Sequence, residues 1–166
     1  MIFRKAFESE VKEIWEILQY AIERRKQDGS KQWQDGYPNP DSILQDMTQD
    51  WAYVLADDIG ILAYGAVIFE EDPAYATIKG NWMTEREYVV VHRVAAAPRA
   101  KGMGIATEFF QHIENLAKSK NIYSIKVDTN FDNMAMLRIL EKLSYQYCGD
   151  VIIRDSARMA FEKCLD

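Results

Sequence analysis

The chain lacks any run of apolar residues long enough to span a bilayer, and its opening Met1-Ile2-Phe3-Arg4-Lys5-Ala6-Phe7-Glu8 lacks the unbroken apolar segment of a signal peptide. A cytoplasmic protein with no membrane partner is therefore expected. Cysteine is scarce: Cys148 and Cys164 are the only two. They stand far from any metal-ligand spacing, so buried free thiols are expected and no metal. Positive charge is in deficit, the net charge being -6. Neutralising phosphates along a polymer calls for a basic face, so this balance argues against nucleic-acid binding and suits a small cationic substrate. Internal repeats and low-complexity tracts are absent. The string Gly-x-x-x-x-Gly-Lys-Ser/Thr occurs nowhere, which disfavours a P-loop nucleotidase.

What the chain does have is an apolar fraction of 48% over 166 residues, ample for the core of one domain spanning residues 1–166. Hydrophobic period then separates helices from strands. A short strand is expected over residues 2–6. Val11, Ile14, Trp15, Leu18 and Ile22 follow at helical spacing, with Gly29 as the stop. The Gly- and Pro-containing stretch 31–40 reads as a loop, after which Asp41 can cap a short helix to about Thr48. Residues 51–56 and 61–70 form a hairpin pattern, a longer loop holds Trp82, and 88–96 is rich in β-formers. A helix over 104–119, a strand over 122–128, a helix capped by Asp132 that buries Met136, Leu137, Leu140 and Leu143, and a hairpin over 145–153 and 158–164 complete the pattern. The order is β-αα-βββ-α-β-α-ββ, an α/β class.

One segment carries chemistry. Val94-Ala95-Ala96-Ala97-Pro98-Arg99-Ala100-Lys101-Gly102-Met103-Gly104-Ile105-Ala106 takes a strand through a basic, glycine-spaced turn into a helix. The glycines open backbone conformations closed to other residues, and the first amides of a helix have no partners within it. Free N–H groups, the helix dipole and the cations Arg99 and Lys101 all favour a phosphate there. A dinucleotide fold also uses such a turn, and Asp128 lies at a suitable distance for a ribose. The third glycine of that fingerprint is replaced by Thr107, however, and the motif comes after several hairpin-connected strands instead of opening a βαβ unit.

Over nearly its whole length the chain resembles a GCN5-related N-acetyltransferase (GNAT). Element order, the run Lys101-Gly102-Met103-Gly104-Ile105-Ala106 against the family's Gln/Arg-x-x-Gly-x-Gly/Ala signature, and Asp128-Thr129-Asn130-Phe131-Asp132-Asn133 leading into a helix carry that resemblance. It implies one mixed, mostly antiparallel central sheet flanked by helices, and transfer of acetyl from acetyl-CoA directly to an amine acceptor, either a small molecule or a peptide. Two registers fit the signature. Arg99-x-x-Gly102-x-Gly104 matches the letters, whereas Lys101-x-x-Gly104-x-Ala106 keeps the family's distance from Pro98 and is preferred. Both use Gly102 and Gly104, so the backbone run from Lys101 to Ala106, Met103 and Ile105 included, is expected at the pyrophosphate, with Val94, Ala95 and Ala96 along the pantetheine arm and Asn133 contacting the CoA arm. Dimerisation is common in the family, though no interface pattern here decides it.

Catalytic side chains are harder to place. The family's thiolate-protonating tyrosine falls at Leu140, and a glutamate found in some relatives falls at Val90. The substitute base is His92, two residues on and on the same face by strand alternation. Glu70 and Glu71 can act through water, and Tyr123 or Tyr145 can replace the missing acid. His112 is expected to face solvent. Trp33, Tyr37 and Trp82 lie where relatives form the acceptor pocket, and rings beside acids such as Asp35 attract a cationic amine. A sensor that binds acyl-CoA without turnover is the alternative reading, supported by Leu140.

Overall fold

The computed structural model describes residues 1–166. Its contacts divide them into two compact units, the first of residues 1–67 and 93–112, the second of 68–92 and 113–166. In the first, β1 (Ile2–Lys5) pairs antiparallel with β2 (Ala52–Ala56), and β2 with β3 (Ile61–Ile68), the latter ladder shifting register at Leu55/Ala56. Helices α1 (Val11–Gln27) and α2 (Pro40–Thr48) also belong to it. Its core gathers Ile14, Ile17 and Leu18 of α1 with Ile43 of α2 and Val54 and Tyr64 of the strands. These are the helical-period and strand-facing apolar residues, so burial of one stripe per helix accounts for the arrangement. Gly29, at φ +77°, ends α1.

The second unit holds the start of β5 (Val89–Ala96), with β6 (Ser124–Thr129), β8 (Ser156–Cys164), β7 (Gln146–Ile153) and β4 (Lys79–Gly80), and the strand order is β1-β2-β3-β5-β6-β8-β7-β4. Strands β5 and β6 run parallel; the other registered ladders are antiparallel. The sheet is thus mixed and mostly antiparallel, in the expected element order plus β4. Helices α3 (Ile105–Ser119) and α4 (Met134–Lys142) complete the set.

Several expectations need correction. Helix α2 is capped by Asn39, whose side chain accepts the Ser42 N–H at 3.1 Å, while Asp41 sits inside the first turn after Pro40. Likewise α4 is capped by Asn133, which accepts the Met136 N–H at 3.3 Å, and Asp132 instead receives Asn130 Nδ2 at 2.6 Å. On that helix Leu140 is fully buried, and Leu143 beyond its end is buried too; Met136 and Leu137 are only half-buried. Both cysteines are free as expected but half-buried, not buried. Strand β4 escaped notice because it rests on two glycines crossing. A Cβ on Gly80 would lie 2.2 Å from the Cys148 carbonyl oxygen, and one on Gly149 2.2 Å from that of Lys79.

The most consequential backbone feature is at Arg93, a non-glycine residue at φ +57° inside β5. Such a conformation costs on the order of 1–3 kcal/mol and persists only where its surroundings hold it. Here they do. Arg93 donates Nε to Asp46 Oδ2 at 2.9 Å, Nη2 to Asp46 Oδ1 at 2.5 Å and Nη1 to the Tyr37 hydroxyl at 2.5 Å. Asp46, whose side chain is 1% exposed, also receives the Tyr64 hydroxyl. Burial, then the neighbouring Asp46 charge, pushes the Tyr64 hydroxyl well above the usual tyrosine range, so it stays a donor. Removing one partner of such a pair leaves an uncompensated buried charge. Arg93→Ala and Asp46→Ala should each lower unfolding free energy by about 3–5 kcal/mol in urea titrations. The double variant should cost at least ~1 kcal/mol less than their sum; strictly additive losses would show that the two residues do not act as a pair.

Candidate functional site

Strand β5 leads into the glycine-spaced turn. After Ala97, whose N–H is bonded to the Leu62 carbonyl at 2.8 Å, a 3-10 turn over Pro98–Ala100 delivers the chain to Gly102 at φ +79° and Gly104 at φ +69°. A Cβ at either glycine would meet nothing within 4 Å, so the backbone there borders open space and the glycines serve conformation alone. The first bond of α3 runs from the Glu108 N–H to the Gly104 carbonyl at 3.1 Å. The amides of Ile105, Ala106 and Thr107 therefore precede any intrahelical acceptor and present their hydrogens at the positive end of the dipole. That donor set fits a pyrophosphate.

The two cations of the turn differ in occupation. Arg99 is held by Asp57 through a bidentate pair at 2.7 and 2.9 Å and also donates to the Gly60 carbonyl at 3.0 Å. The Arg99 hydrogen bonds hold the Asp57 carboxyl well below the usual carboxylate range. Lys101, two residues on, is exposed and carries no such commitment.

A second polar cluster lies wholly in the other unit, where β5 begins. His92 Nε2 is 3.0 Å from Asp72 Oδ2, and its Nδ1 is 3.7 Å from Asp128 Oδ2. Asp128, its side chain 3% exposed, accepts the Tyr75 hydroxyl at 2.6 Å. Burial and the nearby Asp128 charge keep that phenol protonated, raising it far above the ordinary tyrosine value. Burial alone would raise Asp72, but its hydrogen bond to His92, the imidazole charge and the Ala74 amide bring it below its ordinary value. Asp72 was not anticipated; Glu70 and Glu71 were, and both are exposed. The signal for Asp72 was its place before Pro73, where it caps a 3-10 turn by accepting the Ala74 N–H at 3.0 Å and so fixes its carboxylate. With Nε2–H given to Asp72, the Nδ1 lone pair has no hydrogen bond and can take a proton.

Comparison with known proteins now decides the family. Residues 14–145 match the model of the Acetyltransferase (GNAT) family. The chain belongs to that family. It is an acyl-CoA-dependent acetyltransferase. A GNAT-family acetyltransferase of Streptococcus agalactiae superposes with a TM-score of 0.91 at 33% identity, over 99% of this chain and 95% of that one. Another, from Listeria monocytogenes, shares the fold with a TM-score of 0.77 at 14% identity, covering 99% and 94% of the two chains. The structure of yncA from Salmonella typhimurium, solved with its cofactor acetyl-CoA, gives 0.68 at 14% identity over 99% and 94%. Among curated proteins nothing matches. No helix is long and apolar enough to cross a membrane, and no group of His, Cys, Asp and Glu is arranged to hold a metal ion.

Leu140, where the family's tyrosine would stand, is 0% exposed. Tyr145 is buried and pushed far up by that burial and by Glu114, so its hydroxyl is in the core. His112 does not simply face solvent: its ring stacks on Phe3 at 5.3 Å. Trp33 lines an open groove of about 580 Å³ with Trp15, Glu23 and Pro38, but Tyr37 turns to Arg93. Trp82 is a structural post, its indole N–H given to the Tyr75 carbonyl at 2.8 Å and its face covered by Lys126 Nζ at 4.3 Å from the centroid. Tyr88 takes the same ammonium at 4.0 Å. Lys126 is 3% exposed, and burial lowers its pKa. Residues 83 and 84 beside Trp82 are in turn pinned by Glu162, which accepts the Met83 N–H at 2.8 Å and the Thr84 hydroxyl at 2.6 Å.

The depressed acids set the response to pH. A carboxyl held below its unfolded value contributes stability above that value and loses it as pH falls through the folded one. Asp72, Asp57 and Glu10, lowered from 3.8, 3.8 and 4.5 by His92, Arg99 and Arg4, should therefore be fully stabilising above about pH 5 and make the fold progressively weaker below about pH 4. Urea midpoints measured from pH 7 to pH 2 should show that decline, and Asp72→Asn should flatten it. An unchanged slope in that variant would remove the His92 pairing from the explanation.

Proposed function

We propose that this acetyltransferase moves acetyl from acetyl-CoA to a primary amine by direct attack in a ternary complex, with His92 as the general base. The observation that carries the donor half is the run from Gly102 to Thr107, which offers helix-start amides and two positive-φ glycines bordering open space. Lys101 supplies the cation, since Arg99 is already paired with Asp57. Val94, Ala95 and Ala96 lie on the part of β5 beyond the β6 ladder, which registers only Val89–Val91; their backbone is the support for the pantetheine arm.

In the reaction the amine nitrogen attacks the thioester carbonyl carbon, a C–N bond forms, the C–S bond breaks, and CoA leaves as the thiolate. An amine with a pKa near ~10.4 must lose a proton to attack, and an imidazole that accepts it can pass it on to solvent. His92 takes it at Nδ1, directly or through water. Asp72 holds the ring through Nε2 and, with Asp128, balances the positive charge that results. A thiolate whose parent thiol has a pKa near ~8.5 needs little protonation to leave, which accommodates Leu140.

Release of CoA thiol, followed while acetyl-CoA is offered with a panel of amines, tests the reading; acetyl-CoA binding with no turnover of any amine would favour the sensor. In calorimetry Lys101→Ala should weaken acetyl-CoA binding roughly 10-fold, the scale of one charge-assisted contact, while Arg99→Ala should change it less. Gly104→Asp should abolish binding by adding strain and negative charge. His92→Gln should leave binding intact and lower kcat by roughly 100-fold or more.

A further inference from the structure

We propose that the acceptor amine also carries a carboxylate, and that Arg158 binds it; the acceptor class of the acetyl-transfer site is then a small amino acid. This inference rests on the acetyl-transfer reading above.

Arg93 and Arg158 lie beside aspartates in very different ways. Arg93 is satisfied: Asp46 takes it in a bidentate pair, and Tyr37 takes the remaining nitrogen. Arg158, on β8, has a side chain only 8% exposed, yet its Nε–H has no hydrogen-bond partner. Its Nη1 stands 4.0 Å from Asp128 Oδ1, too long for a hydrogen bond. Asp128 is committed elsewhere, since its Oδ2 takes the Tyr75 hydroxyl at 2.6 Å and lies 3.7 Å from His92 Nδ1. A guanidinium presents its donors in a planar fork that matches a carboxylate, and burying its charge with the Nε–H unfilled is costly. An incoming carboxylate fills it.

The neighbours of Arg158 say what else that ligand carries. Asp128 stands between it and His92, and Asp72 lies on the far side of the imidazole. One edge of the cluster is thus cationic and the other has two carboxylates around a base. A zwitterion answers both: its ammonium is drawn to Asp72 and Asp128, where His92 can remove a proton, and its carboxylate goes to Arg158. In an α-amino acid the nitrogen and the carboxyl carbon are roughly 2.5 Å apart by standard bond geometry, compact enough for a cluster whose adjacent charges are spaced at 3.7 and 4.0 Å. A neutral zwitterion also approaches a chain of net charge -6 without the repulsion met by a simple anion.

The test compares each standard α-amino acid with its carboxamide, which keeps the amine and loses the anion. With the protein saturated with CoA, calorimetry should find at least one acid bound, its carboxamide roughly 10- to 100-fold weaker, and that preference lost in Arg158→Gln. Arg158→Lys should restore part of it, and the acid-to-carboxamide comparison on the unaltered protein needs no variant to fold. Equal binding of acid and carboxamide, a preference that survives Arg158→Gln, or no binding by any amino acid overturns the proposal. Arg158-dependent binding of an acid without any CoA release in the presence of acetyl-CoA supports the carboxylate site and overturns the acetyl-transfer reading instead.

Discussion

A buried ion pair between Arg93 and Asp46 is the constraint on which the rest of the structure depends. Strand β5 would otherwise continue as an extended strand, since Val89, Val90, Val91 and Val94 are β-branched. Arg93 puts a left-handed residue inside the strand, and the parallel ladder to β6 registers only as far as Val91. The same guanidinium reaches Asp46 in α2 and Tyr37 in the loop before that helix, while Tyr64 of β3 completes the shell. One charge therefore sets the bend of the strand, the seat of a helix and the path of a loop. His92 stands immediately before Arg93 and Val94, Ala95 and Ala96 immediately after it, so the strained position is held by its own buried contacts at the middle of the strand.

Much of this was legible in the chain, and what was not has a common physical cause. Helical period marked α1 and α3, β-rich runs marked β5 and β6, and the spacing of Lys101, Gly102 and Gly104 marked the cradle, because each is a local pattern written within one or two turns of chain. Caps were placed on the wrong neighbour twice. Asp41 and Asp132 are as able to cap as Asn39 and Asn133, and only the path of the preceding loop chooses between them. Strand β4 was invisible because two residues have no period. Its existence depends on Gly80 meeting Gly149 across the sheet.

Pairing at long range was the other limit. His92 could be named from strand alternation, but its partner Asp72 lies 20 residues earlier behind a proline, and Arg93 finds Asp46 47 residues away. Aromatic residues were the least readable. Trp33 borders a groove, Tyr37 holds an arginine, and Trp82 roofs a lysine, although all three carry the same surface-loop context in the sequence. Ring chemistry that can receive a ligand's cation receives the protein's own cation equally well, and composition does not distinguish the two.

The lysine under that roof has a meaning of its own in an enzyme that acetylates amines. Every acetyltransferase is surrounded by its own lysines, and a neutral amine is what an acyl thioester consumes. Lys126 is an amine that burial has moved toward the neutral form. Enclosed between Trp82 and Tyr88 and 3% exposed, it is also withheld from any acyl donor in solution. The burial that shifts this amine toward its neutral form is the same burial that keeps it from becoming a substrate.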